Sequence, residues 1–83
     1  MSDAGPSVSV LFFASYRDRV GEARREVTLS PGATVADLIG RLREDGVELP
    51  DRPSVAVNRS YAEATRTLGD GDEVALIPPV AGG

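Results

Sequence analysis

Two short segments near the start of the chain alternate between the two sides of a strand. In residues 8–13, one side carries Val8, Val10 and Phe12, and the other carries Ser9, Leu11 and Phe13. Residues 25–29 alternate in the same way. A period of two is typical of β-strands. The segments therefore predict a hairpin whose strands are joined by a polar turn or short helix at residues 16–21.

A different period begins at residue 34. Apolar residues then recur three and four positions apart: Val35, Leu38, Ile39 and Leu42. This spacing predicts one amphipathic α-helix. Thr34 followed by Asp37 matches a capping box at the start of the helix, and Gly46 can end it. Because a glycine inside a helix costs about 1 kcal/mol relative to alanine, Gly40 predicts close backbone packing.

Three further strands are predicted in the second half of the chain. Residues 54–57 and 73–77 are short apolar runs, and residues 61–62 form a minor strand after a turn at 58–60. The segment 68–72 is a strong turn signal before the last strand. The order strand, strand, helix, strand, minor strand, strand predicts an α+β fold with one helix packed on one face of a sheet.

A lone helix covers only one face of such a sheet. We expect that face to hold one set of strand residues: Val8, Val10, Phe12, Val74 and Leu76. Phe13 and Ile77 then lie on the far face, with Tyr61 as a candidate neighbour. Apolar residues on a solvated sheet face indicate a docking patch. The alternative is that a loop or the tail covers them, and the pattern leaves both interpretations open.

The composition excludes most side-chain chemistry. The chain has no His and no Cys, and all nine of its basic residues are Arg. Histidine acid–base catalysis, cysteine nucleophiles, disulfides, Schiff-base lysines and His or Cys metal sites are therefore excluded. The acidic residues at 70–73 lack the spacing of a calcium loop, so no metal site is predicted. No glycine-rich phosphate cradle is present, so ATP, if used, would be bound by a partner.

Length and charge limit the domain organisation and exclude further classes of function. The 83 residues predict one domain at 7–79, preceded by a disordered leader at 1–6 and followed by a flexible tail at 80–83. A net charge of −4 argues against nucleic acid and suggests a basic partner. No apolar run is long enough to span a membrane, and residues 1–6 do not resemble a signal peptide. The pattern therefore predicts a cytoplasmic protein.

The tail carries the most informative feature of the sequence. Pro78 and Pro79 cannot donate to a β-ladder, so they end the last strand as a stiff spacer. Val80 and Ala81 follow, and then two glycines, Gly82 and Gly83. A tail without side chains can thread a narrow channel and place its carboxylate in another protein's active site. A frayed end or an expression remnant is the alternative, but a rigid base behind the tail favours the functional interpretation.

Three stretches of the chain resemble one family. They are Val10-Leu11-Phe12-Phe13-Ala14, Ala56-Val57-Asn58 and, above all, Leu68-x-Asp70-Gly71-Asp72-Glu73-Val74-Ala75-x-x-Pro78-Pro79-Val80-x-Gly82-Gly83. They look like the small subunits of molybdopterin synthase, sulfur carriers of the MoaD/ThiS family. The resemblance implies a ubiquitin-like β-grasp fold, with a mixed sheet of four to five strands and one main helix on one face.

The resemblance also implies a chemical role for the tail. An E1-like adenylating enzyme would use ATP and Mg to activate the carboxyl group of Gly83, and a persulfide donor would convert it to a thiocarboxylate. Inside the large subunit of molybdopterin synthase, this group would donate sulfur to a cyclic pyranopterin. The chain would be a non-catalytic small subunit, with no activity of its own and no bound cofactor.

Individual positions follow from the same resemblance. Gly82 would thread the channel of the partner, together with the preceding tail residues Ala81, Val80, Pro79 and Pro78. Phe13, Tyr61 and Ile77 would form the docking surface shared by the two partners. Tyr61 departs from the aliphatic residue often found at its position. Arg17 would be a rim contact or simply a solvated arginine.

Other functions fit the same pattern. A carrier of the same fold could supply sulfur for cysteine, thiamine or tRNA thiolation. A ubiquitin-like modifier would instead join its carboxyl group to a protein amine. A plain interaction module would not use the tail at all. The sequence alone does not decide among these alternatives.

Overall fold

The computed structural model describes residues 5–78 and contains five strands and two helices. The elements are β1 (Ser7–Phe12), α1 (Ala14–Val20), β2 (Arg24–Thr28), α2 (Val35–Glu44), β3 (Ser54–Val57), β4 (Ser60–Tyr61) and β5 (Glu73–Ile77). The strands form one sheet in the order β2-β1-β5-β3-β4. β1 and β5 pair in parallel at the centre, and the other neighbours are antiparallel. This is the predicted α+β architecture, a ubiquitin-like β-grasp.

One face of the sheet, here called the inner face, packs against α2. Alternation along β1 and β5 sends three residues of β1 and two of β5 into a single apolar core: Val8, Val10, Phe12, Val74 and Leu76. The helix contributes the four residues that its spacing predicted: Val35, Leu38, Ile39 and Leu42. All nine are less than a tenth exposed. The predicted inner face is therefore confirmed.

The two ends of α2 contain the capping residues that the sequence predicted. The Oγ1 of Thr34 accepts a hydrogen bond from the Asp37 N–H at 3.3 Å, and Asp37 Oδ2 accepts one from the Thr34 N–H at 2.9 Å. Gly46, with φ of 94°, follows the end of the helix. The prediction for Gly40 is wrong. Apart from its chain neighbours and the backbone of α2 itself, a Cβ at this position meets no atom within 4 Å, so no close approach of another element requires glycine there.

The segment after β1 takes the second of its two predicted forms, a short helix rather than a polar turn. Helix α1 starts at Ala14, two residues before the predicted segment, and its Tyr16 is 4% exposed and belongs to the core. This short helix adds to the one main helix that the sequence predicted. β1, β2 and β4 each begin and end one residue earlier than their patterns indicated.

The two ends of the described residues can be compared with the predicted domain bounds of 7 and 79. Gly5 and Pro6, assigned to the leader, are hydrogen-bonded to Leu29: the Gly5 N–H donates to the Leu29 carbonyl, and the Leu29 N–H donates to the Pro6 carbonyl. Strand β5 ends at Ile77, and Pro78 follows it outside any helix or strand. The tail positions 79–83 lie outside the described residues. Neither described helix has the length and apolar character needed to cross a membrane.

Candidate functional site

An apolar row crosses the face of the sheet opposite α2, here called the outer face. The strand registers place Leu11 beside Ala75, Ala75 beside Ala56, and Ala56 beside Tyr61. Four strands therefore contribute one residue each to a continuous row. The two alanines lie between larger side chains, so the row has a low centre and raised ends.

Phe13 and Ile77 extend this row towards the end of the sheet from which the chain leaves β5. These residues line one depression, here called the outer trough: Leu11, Phe13, Ala56, Tyr61, Ala75 and Ile77. Arg59 and Glu73 complete its lining. Within residues 5–78, Phe13 at 47% and Tyr61 at 78% are the exposed large hydrophobic side chains. Both belong to the trough, so the exposed large hydrophobic side chains of residues 5–78 lie at one place.

The rest of the outer face is polar and internally paired. Ser9 Oγ donates to Glu26 Oε2 at 2.7 Å, and Arg24 reaches both of them, with contacts of 2.9 Å to Ser9 and 3.3 Å to Glu26. The Ser9 hydroxyl, followed by the Arg24 guanidinium, lowers the pKa of Glu26 below its usual value. This side of the face offers charged groups that already have partners, in contrast to the trough.

The structure brings together three of the four predicted docking residues. Phe13, Tyr61 and Ile77 all line the trough. Arg17 is exposed on α1 and is not among the lining residues, so its role as a rim contact stays a prediction. Pro78 directly follows the strand that carries Ile77. Five predicted tail residues lie outside the described residues: Pro79, Val80, Ala81, Gly82 and Gly83.

Sequence reasoning did not select the low centre of the trough. Ala56 and Ala75 belong to predicted apolar strands and to the family resemblance, but an alanine carries little signal about which face of a sheet needs it. The strand register supplies the missing information. Ala56 is 7% exposed but lies outside the inner core. The alternation in β1 had already placed Leu11 on the same side as Phe13.

No second site with its own chemistry emerges from residues 5–78. They contain no group of three or more carboxylates that could hold a metal ion. The buried Tyr16 hydroxyl has no hydrogen-bond partner in this part of the chain. Burial raises its pKa above the usual value for tyrosine. The outer trough is therefore the candidate functional site of the described domain.

Fold and site together define a class: a small β-grasp protein with one apolar trough beside the strand that leads to its tail. The sequence model of the ThiS family matches residues 10–83. The chain belongs to the ThiS family.

Individual proteins resemble the chain along most of its length. The molybdopterin synthase sulfur carrier subunit of Mycobacterium tuberculosis is 42% identical over 80 residues, which cover 92% of this chain and 96% of that protein. The crystal structure of SAMP1 from Haloferax volcanii has a TM-score of 0.78 and 31% identity, covering 93% of this chain and 99% of that one.

One chain of a solved complex is also similar to this protein. The complex contains subunits 1 and 2 of molybdopterin-converting factor from Helicobacter pylori. The matching chain has a TM-score of 0.67 and 26% identity, and the match covers 93% of this chain and 99% of that one.

Proposed function

We propose that this protein is the sulfur carrier of a molybdopterin synthase. The outer trough carries the proposal, because it lies beside β5 and includes Ile77, the residue just before Pro78. A partner seated on the trough is thereby placed next to the start of the tail. The similarity to a molybdopterin synthase sulfur carrier subunit and to a molybdopterin-converting factor complex supports the same role.

The proposed chemistry takes place on the carboxyl group of Gly83. A carboxylate is a poor electrophile, so it first attacks the α-phosphorus of ATP, and pyrophosphate leaves. The terminal sulfur of a persulfide then attacks the acyl carbon, and AMP leaves. A second thiol cleaves the new sulfur–sulfur bond, giving a thiocarboxylate and a disulfide. The sulfur is then available as a nucleophile although the chain has no Cys.

The tail residues act by delivery rather than catalysis. Residues 80–83 have a contour length of about 13 Å when extended. Gly82 and Gly83 add no side chains, so we propose that they enter a channel in the large subunit and present sulfur to a cyclic pyranopterin. The catalytic groups, ATP and Mg belong to the partners, and the reaction takes place in the cytoplasm.

One docking surface, the outer trough, is enough for the carrier to bind two different partners. The adenylating enzyme and the large subunit both need access to the same tail, so we propose that they use the trough in turn. Exposed aromatic side chains beside a depression are typical of residues that dominate binding energy. Phe13 and Tyr61 are such residues, and the paired ions around Glu26 would lie outside the contact.

Intact-mass measurement tests the carrier chemistry. The purified protein is incubated with ATP, Mg, an adenylating enzyme and a persulfide source, and its C-terminal fragment is then sequenced by mass. We expect one oxygen-to-sulfur exchange, confined to Gly83. The variant Gly83→Ala places a methyl group next to the reacting carboxyl carbon, where it would crowd the active site of the adenylating enzyme, so it should lose the exchange while melting normally. Unchanged mass in the wild type, with the enzyme shown active on another carrier, would contradict the proposal.

Protein conjugation is the second candidate function. The likeness to SAMP1, whose full name is small archaeal modifier protein 1, favours it. The two functions differ in what attacks the activated Gly83: a sulfur donor or a protein amine. The same incubation in the presence of lysine-bearing proteins separates them, because conjugation gives a product of higher mass. Transfer from the thiocarboxylate to the pyranopterin precursor, rather than to cysteine, thiamine or tRNA precursors, then identifies the pathway.

A further inference from the structure

Unusual backbone angles cluster around the outer trough. Within residues 5–78, three non-glycine residues have positive φ: Ala14 at 47°, Asn58 at 51° and Arg59 at 73°. Ala14 directly follows Phe13, and Arg59 itself lines the trough. A left-handed conformation costs an ordinary L-residue about 1–2 kcal/mol. Such residues persist only where the surroundings hold them, and they concentrate at functional sites.

The turn between β3 and β4 needs contacts from outside its own two strands to hold its conformation. Asn58 and Arg59 form a two-residue hairpin loop with both φ values positive, the geometry that favours Asn-Gly. Arg59 occupies the position at which glycine is preferred. Strand β4 has two residues, and its ladder to β3 consists of two residue pairs. A hairpin this short has little stability of its own, yet Tyr61 depends on it for its place in the trough.

The side chain of Asn58 supplies contacts that the ladder lacks. Its Nδ2 donates to Asp72 Oδ1 at 2.9 Å, and its Oδ1 accepts from the Glu73 N–H at 3.0 Å. Its main-chain N–H donates to the Glu73 carbonyl at 2.8 Å. The acceptor end of the amide is thus bonded to the first residue of β5, and the donor end to the residue just before it. The turn is fixed from its side rather than through its own strands.

Asp72 is itself held firmly. Its Oδ2 accepts from the Gly69 N–H at 2.7 Å, and its carbonyl accepts from the Ser9 N–H at 2.9 Å. The Gly69 N–H, followed by the Asn58 amide, lowers the pKa of the Asp72 carboxyl group. The carboxylate therefore connects the β3–β4 turn to the turn before β5, while its backbone connects both to β1.

We propose that Asn58 and Asp72 are positioning residues for partner recognition: their side-chain contact holds the β3–β4 turn so that Arg59 and Tyr61 stand at the edge of the outer trough. The proposal rests on the proposed function, in which the trough docks the partners. It adds that the edge strand of the site is placed by a polar contact outside the trough. A purely structural contact would instead affect stability without a specific link to Tyr61.

A double-mutant cycle tests this link. The variant Asn58→Gly tolerates positive φ and removes the amide, so it breaks the contact without forcing the backbone to change. Binding to the large subunit is measured by calorimetry for the wild type, Asn58→Gly, Tyr61→Ala and the double variant. We expect Asn58→Gly to weaken binding about tenfold, a modest loss for a contact that acts indirectly. In the Tyr61→Ala background the further loss should be less than about threefold.

A second variant separates positioning from general destabilisation. Asp70 belongs to the same turn as Asp72, but its carboxylate accepts from the Ser7 N–H at 2.8 Å and therefore supports β1 instead. Asp70→Ala should lower the melting temperature and leave binding unchanged at temperatures where it is folded. An equal loss of binding from Asp70→Ala would overturn the proposal, as would an undiminished Asn58→Gly effect in the Tyr61→Ala background.

Amide hydrogen exchange tests the positioning without any partner. The Ala62 N–H donates to the Val55 carbonyl at 2.9 Å and reports pairing just beyond Tyr61. We expect its exchange to accelerate at least tenfold in Asn58→Gly while the Val10 N–H is unaffected. Unchanged exchange at Ala62 would overturn the positioning role. If the wild type failed to bind, the proposed function would be in error, and the exchange result would still decide the role of Asn58.

Discussion

The two faces of the sheet use the same strands for different purposes. Phe12 and Phe13 are adjacent in the sequence, yet Phe12 is 1% exposed on the inner face and Phe13 is 47% exposed on the outer face. The inner face buries its apolar side chains under α2. The outer face leaves its apolar side chains in a trough and pairs its charged groups separately. Exposed apolar area of this kind opposes solubility and is retained where a partner covers it.

The contrast separates the needs of folding from those of docking. Changes on the inner face should act on the free energy of unfolding, and changes in the trough should act on partner affinity. A protein with this division can alter its docking surface while its core stays the same.

The largest expected effect is on the inner face. Phe12→Ala should lower the free energy of unfolding by about 3–5 kcal/mol, because it removes a fully buried ring and leaves a cavity. Phe13→Ala should cost less than about 1 kcal/mol, since its ring is already half exposed. Urea unfolding of both variants measures the difference. Similar losses for the two phenylalanines would mean that the outer face also contributes to the core.

Charge in the trough should act on binding. Phe13→Asp should weaken the affinity for the large subunit by at least about 2 kcal/mol, or about 30-fold, since an apolar anchor becomes a desolvated carboxylate. Calorimetry measures this, with thermal melting as a folding check. Thr28→Asp places the same charge on the polar side of the outer face and should bind normally. Equal weakening by both variants would indicate long-range electrostatics rather than a docking site.

Filling the trough should also weaken binding. Ala75→Leu raises its low centre between Leu11 and Ala56, and we expect about a tenfold loss of affinity, or about 1.4 kcal/mol. Stability should change little, because Ala75 is half-buried and faces away from the core. Ala36→Leu makes the same change at an exposed position of α2 and serves as the control. Unaltered affinity of Ala75→Leu would show that partners do not enter the trough.

A substitution that stabilises the helix on the inner face should not change the affinity for the partner. Gly40→Ala has open space for its Cβ and should stabilise α2 by about 1 kcal/mol. Its melting temperature should rise while its affinity for the large subunit matches the wild type. A rise in stability accompanied by altered affinity would show that the two faces are coupled through the helix.

The smallest effect concerns the acid side of the pH profile. Since the folded state lowers the pKa of Asp72 from its usual 3.8, its contribution to stability is present above that value and is lost as the pH falls through the folded pKa. Asp72→Asn should therefore flatten the loss of stability in this acidic range. Urea unfolding at several pH values measures it. A profile identical to the wild type would mean that the turn does not depend on the charge.

Much of this division was readable from the sequence because alternation encodes the two faces. The helix spacing identified all four buried residues of α2, and the β1 alternation placed Phe12 inside and Phe13 outside. The prediction from Gly40 was wrong, because a helix glycine indicates close packing only where an atom of another element lies against it. The order of Ala75, Ala56 and Tyr61 across the sheet depends on strand register. Register is set by long-range pairing, which the local pattern does not contain.

The contacts of Asn58 could not be predicted from the sequence for the same reason. Its amide meets Asp72, fourteen residues along the chain, and no local period links the two positions. The sequence marked both segments as turns and as parts of a family resemblance. Their contact, between the β3–β4 turn and the turn before β5, comes from the fold.

A footprint of the bound partner tests the central claim most directly. Amide and side-chain signals of the carrier are recorded by NMR with and without the large subunit. The account predicts changes concentrated at the outer trough, at Leu11, Phe13, Tyr61, Ala75 and Ile77, with Arg24 and Glu26 unaffected. A footprint on α2 or on the polar side of β2, with the trough unchanged, would contradict the division of the two faces and the docking role together.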